Sequence, residues 1–323
     1  MLKNSPKDIK RRARSIANTQ KITSAMEMVA ASKMRRSQLR ALAARPYAQA
    51  ALNILGNLSR QDGDYDEHIR RALARNVFFK GRPNAQRALV VVITSDKGLI
   101  GGLNTSVLNE ASRVVKEYQQ RGFTVEVMAV GTKTKRFFEK AGIFLPDIFE
   151  GVGDLATAQE IDPIAAAIYE YFKKEPVAEV TAIYTEFVST LKQRPARRTL
   201  LPISETLLRE IIAAAQPEEG RYAGEGYAAQ EEALPAPFSY TFEPSGEKLL
   251  AALVPVLFHT YVYHIILESN ASEHSARMMA MRNASTNAER LLDELTLSYN
   301  KARQSAITQE INEVSSGAAA LEN

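Results

Sequence analysis

SPKDIKRRARSIANTQKITSAMEMVAASKMRRSQLRALAARPYAQAALNILGNL, residues 5–58, holds no glycine before Gly56. Ser5 is placed to cap a helix, Pro6 suits the first helical position, and Asp8 is placed to return a hydrogen bond at the third. Apolar residues recur at Ile9 and Ile16, then Ile22, Met26 and Val29, then Leu39 and Leu42. Such spacings of three, four and seven predict one stripe along a helix. Pro46 is expected to kink that helix without ending it, because Leu52, Leu55 and Leu58 resume the spacing. A helix of about 50 residues is about 75 Å long. No compact small domain needs one of that length.

The other end of the chain reads the same way. After Pro244-Ser245-Gly246, helical sequence runs nearly to the terminus, with Leu292, Leu295, Tyr299, Ala302 and Ala306 in heptad spacing. Ile307, Ile311, Val314, Ala318 and Leu321 continue it on a neighbouring track. Neither helix can bury its stripe alone, so the two are expected to pair. A domain lies between them in sequence, so the first leaves it and the last returns, and the pair is an antiparallel coiled coil. Its seam is rich in Ala, Ser and Thr, which allow close approach but bury less apolar area than Leu or Ile.

The middle changes period. Residues 88–94, ALVVVIT, form a short β-branched run expected of a buried parallel strand. Helix to about Gln120, strand at 124–130, helices at 133–140 and 163–173, and strands at 180–189 and 197–203 follow. That alternation predicts a doubly wound, Rossmann-like α/β sheet. The expected organisation is therefore α/β: an N-terminal coiled-coil helix over 1–60, a Rossmann-like domain over 85–205, a linker over 206–244, and a C-terminal coiled-coil helix over 245–323. Within the linker, residues 216–237, QPEEGRYAGEGYAAQEEALPAP, are rich in Gly, Pro and Glu and read as loop.

Composition narrows the chemistry. The 323 residues include no cysteine, which removes disulfides, thiolate metal sites and cysteine nucleophiles. His68, His259, His264 and His274 lack zinc-ligand spacing, and no hydrolase or zincin motif occurs. No catalytic residue, cofactor or metal is expected. Net charge is +4, yet residues 1–45 carry twelve Lys or Arg (Lys3, Lys7, Lys10, Arg11, Arg12, Arg14, Lys21, Lys33, Arg35, Arg36, Arg40, Arg45) against Asp8 and Glu27. Such a segment suits an acidic partner. It lacks aromatic residues for stacking, so a protein sleeve fits better than nucleic acid. The basic start has no apolar core of a secretory signal, which predicts a cytoplasmic chain. Residues 249–267, LLAALVPVLFHTYVYHIIL, approach membrane-spanning length, but Pro255, His259, Thr260 and His264 favour a helix buried against a soluble domain.

One loop has the setting of a ligand site. SDKGLIGGLN, residues 95–104, follows a strand and opens a helix, where α/β folds bind phosphate. It lacks the endings of a P-loop and of a dinucleotide site. A tight structural turn is the preferred reading, and an α/β nucleotide- or phosphate-binding enzyme using Ser95 to Asn104 is the alternative.

Three segments then carry a resemblance: TQKITSAMEMVAASKMRRSQ at 19–38, the loop SDKGLIGGLN, and residues 272–321 with SEHSARMMAMRNAS and RQSAITQEINEVSSGAAAL. In order and spacing they resemble the gamma subunit of F-type ATP synthases over nearly the whole chain. The resemblance implies a torque-transmitting rotor shaft with a coiled coil inside a hexamer of alpha and beta subunits. It implies a foot on the epsilon subunit and the c-ring, and peripheral attachment to the cytoplasmic face of the cell membrane through the complex. By position, Arg303, Gln304 and Thr308 fall where the family contacts a beta subunit. Lys97 falls on the loop that approaches the acidic lever of beta, with Met26 at the level of that lever, and Glu273 and Arg277 match a polar pair of the coiled coil. The family usually has Arg where Lys97 stands, so the charge is kept while bidentate pairing is lost. Ile100 replaces a frequent Cys, and the 216–237 segment looks longer than usual.

Overall fold

The computed structural model describes residues 5–60, 76–152, 157–203 and 246–321. His68, the linker at 206–244 with its 216–237 segment, and the side chains of Leu42, Leu52, Leu55, Leu58, Ala318 and Leu321 lie outside the described residues. The elements run α1 (Pro6–Arg60), α2 (Val77–Lys80), β1 (Arg87–Ile93), α3 (Leu103–Gln120), β2 (Thr124–Val130), α4 (Thr132–Lys140), β3 (Ile148–Phe149), α5 (Ala158–Lys174), β4 (Val177–Phe187), β5 (Gln193–Leu201) and α6 (Gly246–Leu321). They divide into two compact units, one built from residues 1–31 with 277–323 and one from residues 32–276.

The first unit brings together the start of α1 and the C-terminal part of α6. The start of α1 is capped as its sequence predicts: the Ser5 hydroxyl donates to the Asp8 carboxylate at 2.9 Å, and the Asp8 amide donates to Ser5 Oγ at 3.3 Å. The stripe that α1 buries differs from the expected one. Steps of seven from Ile9 and Ile16 lead to Thr23 and Ala30, both buried, and Ser37, in the second unit, is buried too. Ile22, one position round the helix from Thr23, is 60% exposed, and Val29 and Leu39 are exposed with it. On α6, Leu292, Leu295, Tyr299, Ala302 and Ala306 are half-buried as expected. Ile307, Ile311 and Val314 on the neighbouring track are exposed, the last at 74%.

The second unit is a five-stranded sheet in the order β3-β2-β1-β4-β5. Its first four strands are parallel, and β5 pairs antiparallel with β4. Alternate residues of β1 supply both faces. Ala88, Val90 and Val92 pack with Val107, Ala111, Val114 and Tyr118 of α3 and Phe138 of α4. Leu89, Val91 and Ile93 join Ile161, Ile164, Ile168 and Phe172 of α5 and Val254, Leu257, Phe258, Tyr261 and Ile265 of α6. Burial on both sides explains the unbroken apolar run of β1. It also explains residues 249–267: the described part of this apolar run lies along the sheet.

Three boundaries moved. Helix α5 begins at Ala158, five residues before Pro163, because Thr157 caps it: the Thr157 amide and hydroxyl both donate to Glu160 Oε2 at 2.8 Å. Strand β4 starts at Val177, and β5 starts at Gln193 directly after a hairpin closed between Ser189 and Lys192. The edge pairing with β4 extends β5 through Arg194, Pro195 and Arg197, whose own β-propensity is low.

Candidate functional site

The winding of the sheet reverses at β1: α3 and α4 carry the chain outward over one face, and α5 returns it over the other to β4. In α/β folds the loop leaving the strand at such a switch point is where ligands and contacts gather. Here that loop is residues 95–102. Its base is held by side chains. The Thr134 amide donates to Thr94 Oγ1 at 3.0 Å, and Thr94 Oγ1 lies 2.8 Å from Thr134 Oγ1. Gly131, at φ +98°, lets α4 approach this closely; a Cβ there would lie 2.1 Å from the Thr94 carbonyl oxygen.

Asp96 ties the loop to two elements. Its Oδ1 accepts from the Thr132 amide and hydroxyl at 2.8 Å each, and its Oδ2 accepts from the Gly151 amide at 2.9 Å. Ser95 and Asn104 brace the other side: the Ser95 amide donates to Asn104 Oδ1 at 3.1 Å, Asn104 Nδ2 to Ser95 Oγ at 2.8 Å, and the Ser95 hydroxyl to the Lys97 carbonyl at 2.6 Å. The first amide of α4, beside the loop, is thus committed to a carboxylate of the chain itself. Between the anchors, Lys97, Gly98 and Leu99 are exposed and Ile100 is buried. Leu99 sits at φ 64°.

Beside the loop lies a cleft of about 380 Å³, lined by Asp96, Lys97, Thr132, Gly151, Val152, Asn270, Glu273 and His274. Lys97 and Glu273 therefore share one cleft, although the sequence separates them widely. Arg277, one turn on from Glu273, is buried. Arg303, Gln304 and Thr308 are exposed on α6; the Thr308 hydroxyl donates to the Gln304 carbonyl at 3.0 Å. Gln304 and Thr308 share a polar face with Lys301, Gln309 and Asn312. Met26 on α1 is half-buried. Among the described residues no group of three or more His, Asp or Glu is placed to hold a metal ion.

Two polar anchors escaped the sequence reading. Glu268 accepts from the Tyr184 hydroxyl at 3.0 Å and the Phe187 amide at 3.3 Å, clasping α6 to β4. Burial pushes its carboxyl up to about 7, with nearby Glu186 adding to the effect and the Tyr184 and Phe187 hydrogen bonds and Arg198 opposing it. One turn on, the Ser272 hydroxyl donates to the Thr185 carbonyl and the Ser275 hydroxyl to the Thr190 carbonyl, at 3.1 and 2.8 Å. The only signal in the sequence was an acid closing the apolar run HIILE. Arg82 caps the end of α5, donating to the carbonyls of Phe172, Glu175 (2.6 Å) and Lys173 (2.8 Å). No local pattern foretells that contact across the fold.

Comparison with known proteins agrees with this architecture. The sequence pattern of a family described as ATP synthase matches residues 5–321. The ATP synthase gamma chain of Roseiflexus castenholzii is 40% identical over 318 residues, 98% of each chain. That of Chloroflexus aurantiacus is 38% identical over 317 residues, 98% of this chain and 99% of its own. Among solved structures, a chain of the Euglena gracilis mitochondrial ATP synthase (OSCP/F1/c-ring) aligns with a TM-score of 0.59 at 19% identity, covering 98% of this chain and 94% of that one. A chain of the Tetrahymena thermophila mitochondrial ATP synthase central stalk and c-ring aligns with a TM-score of 0.53 at 23% identity, covering 82% and 99%. These structural likenesses bear on the fold.

Proposed function

Because this chain belongs to the ATP synthase gamma-chain family, we propose that it is the central rotor shaft of an F-type ATP synthase, a subunit that transmits torque and catalyses nothing itself. The observation that carries this reading is the 40% identity to a gamma chain across 98% of both chains. The geometry gives it a physical basis. Helix α6, of 76 residues, supplies residues 246–276 to the α/β unit and 277–321 to the coiled-coil unit, so torque on the one passes to the other along its backbone.

Around the coiled coil stand the alpha and beta subunits, and the α/β unit meets the epsilon subunit and the c-ring. Proton flow turns the ring, the shaft turns with it, and its asymmetry drives the beta subunits through their binding states. The complex sits on the cytoplasmic face of the cell membrane and this chain is attached only through it. The outward track of Ile22, Val29, Ile311 and Val314 supports a surrounding partner, because isolated helices gain nothing from exposed apolar residues in register. Arg303, Gln304 and Thr308 contact a beta subunit through hydrogen bonds that form and break as the shaft turns, Lys97 and Met26 lie near its acidic lever, and Glu273 and Arg277 set the polar middle of the shaft.

Co-purification tests the reading. The tagged chain, expressed with its own alpha and beta subunits, should retain both and support ATPase, while the chain alone should neither hydrolyse ATP nor bind it stoichiometrically. Recovery of the chain free of both subunits, or turnover by the chain alone, would overturn it.

A further inference from the structure

Over its first turns α6 meets the sheet through apolar side chains, with Val254, Leu257, Phe258, Tyr261 and Ile265 buried there. Approaching Ala276, where the α/β unit ends, the same contact becomes polar. Glu268 accepts from the Tyr184 hydroxyl and the Phe187 amide, and the Ser272 and Ser275 hydroxyls donate to the carbonyls of Thr185 and Thr190. Gln193 Nε2 donates in turn to Ser275 Oγ at 3.3 Å. Steps of four and three put Glu268, Ser272 and Ser275 on one face of the helix. Their partners run along β4, through the hairpin and into β5. Both serines are fully buried.

Apolar contact is non-directional: it resists separation of a helix from a sheet but opposes rolling only weakly. Hydrogen bonds weaken steeply once donor and acceptor leave their line. A buried hydroxyl bonded to a carbonyl adds little net stability, so apolar residues would hold the helix down as well. What the polar contacts add is a fixed rotation and register of α6 against β4. We propose that Ser272 and Ser275, together with Glu268, are positioning residues forming a collar with β4 and its hairpin, which locks α6 against rotation about its own axis where it takes up torque from the α/β unit. The inference rests on the reading above that the chain is a rotor shaft. A helix seated by apolar packing alone would roll against the sheet under load, whereas one tied at three levels carries the load across.

The test is the angular spread of a probe on the α/β unit. The chain has no cysteine, so Lys174→Cys, at the exposed end of α5, takes a biotin–maleimide before assembly with alpha and beta. A bead on that biotin is followed with the hexamer fixed to glass. ATP should turn the bead, and its mean-square angular spread at rest, without ATP, reads the compliance of the joint. Ser272→Ala with Ser275→Ala removes three of the five collar hydrogen bonds and should raise that spread about twofold, since compliance rises as directional contacts are lost. Val127→Ala, which loosens the core on the other face of the sheet, should lower stability yet leave the spread at the starting value. If the bead on the Lys174→Cys chain does not turn, the shaft reading falls and the collar with it. If it turns but the double variant keeps the same spread, or Val127→Ala widens it as much, the collar alone is overturned. Should the double variant fail to assemble, Ser275→Ala removes two of the bonds and should give a smaller widening; an unchanged spread there refutes the proposal.

Discussion

Replacing Glu268 with glutamine removes one titrating group from the junction of α6 with the sheet and leaves its shape almost unchanged. The carboxyl is raised from its ordinary 4.5 to about 7 by burial. Tyr184 and Glu186 on β4 and Arg198 on β5 act on it electrostatically. A folded-state value above the unfolded one means that the folded chain holds the proton more tightly. The stabilisation is complete below pH 4.5, is lost as pH rises to about 7, and stays lost above it. A gap of about 2.5 pH at 1.36 kcal/mol per unit gives an upper limit of about 3 kcal/mol. Glutamine mimics the protonated acid but keeps one acceptor oxygen, so about 1 kcal/mol is returned through a lost hydrogen bond. Glu268→Gln should therefore be about as stable as wild type at pH 5, or slightly less so, and about 2 kcal/mol more stable at pH 8. Urea unfolding of the full chain at pH 5, 6, 7 and 8 reads this directly, since other titrating groups cancel in the difference. A wild-type-to-variant difference that is constant from pH 5 to 8 would show that Glu268 titrates like a surface acid, and the reasoning would fail.

Arg82→Ala strands the carbonyls of Phe172, Lys173 and Glu175 at the end of α5 and removes a guanidinium 5.2 Å from the Phe172 ring centre; a loss of about 2–4 kcal/mol in urea unfolding is expected. Gly131→Ala places a Cβ 2.1 Å from the Thr94 carbonyl oxygen at φ +98°, so it should cost more than about 3 kcal/mol or prevent soluble expression. Arg303→Ala with Gln304→Ala should assemble with alpha and beta at wild-type yield yet lower coupled ATPase roughly tenfold; an unchanged rate would remove those two residues from the contact. Arg11→Ala, which breaks an exposed 3.2 Å pair with Asp8, should change stability by less than about 1 kcal/mol.

Local patterns were sufficient for much of this molecule. Ser5, Pro6 and Asp8 set the start of α1, because a cap is an interaction among residues within one turn. The β-branched runs of β1 and β2 marked a sheet buried on both faces, and the alternation with helices marked its parallel winding. The loop at 95–104 was visible as a turn. Its segment, with the two terminal ones, was distinctive enough to carry the family resemblance. Other features depended on residues distant in sequence. Glu268 reaches Tyr184 and Phe187, Arg82 reaches Phe172 and Glu175, and Asp96 reaches Thr132 and Gly151, each across a gap that no periodicity spans. The seam of α1 makes the division plainest. The sequence demanded burial for Ile22 and Val29 as strongly as for Ile9 and Ile16, because hydrophobicity reports only that a side chain should leave water. Tertiary structure turned Thr23 and Ala30 inward instead and left Ile22 and Val29 outside. The reason is geometric: a paired helix keeps steps of seven facing its partner, and apolar residues about 100° round from that line are left for a surface other than the chain's own.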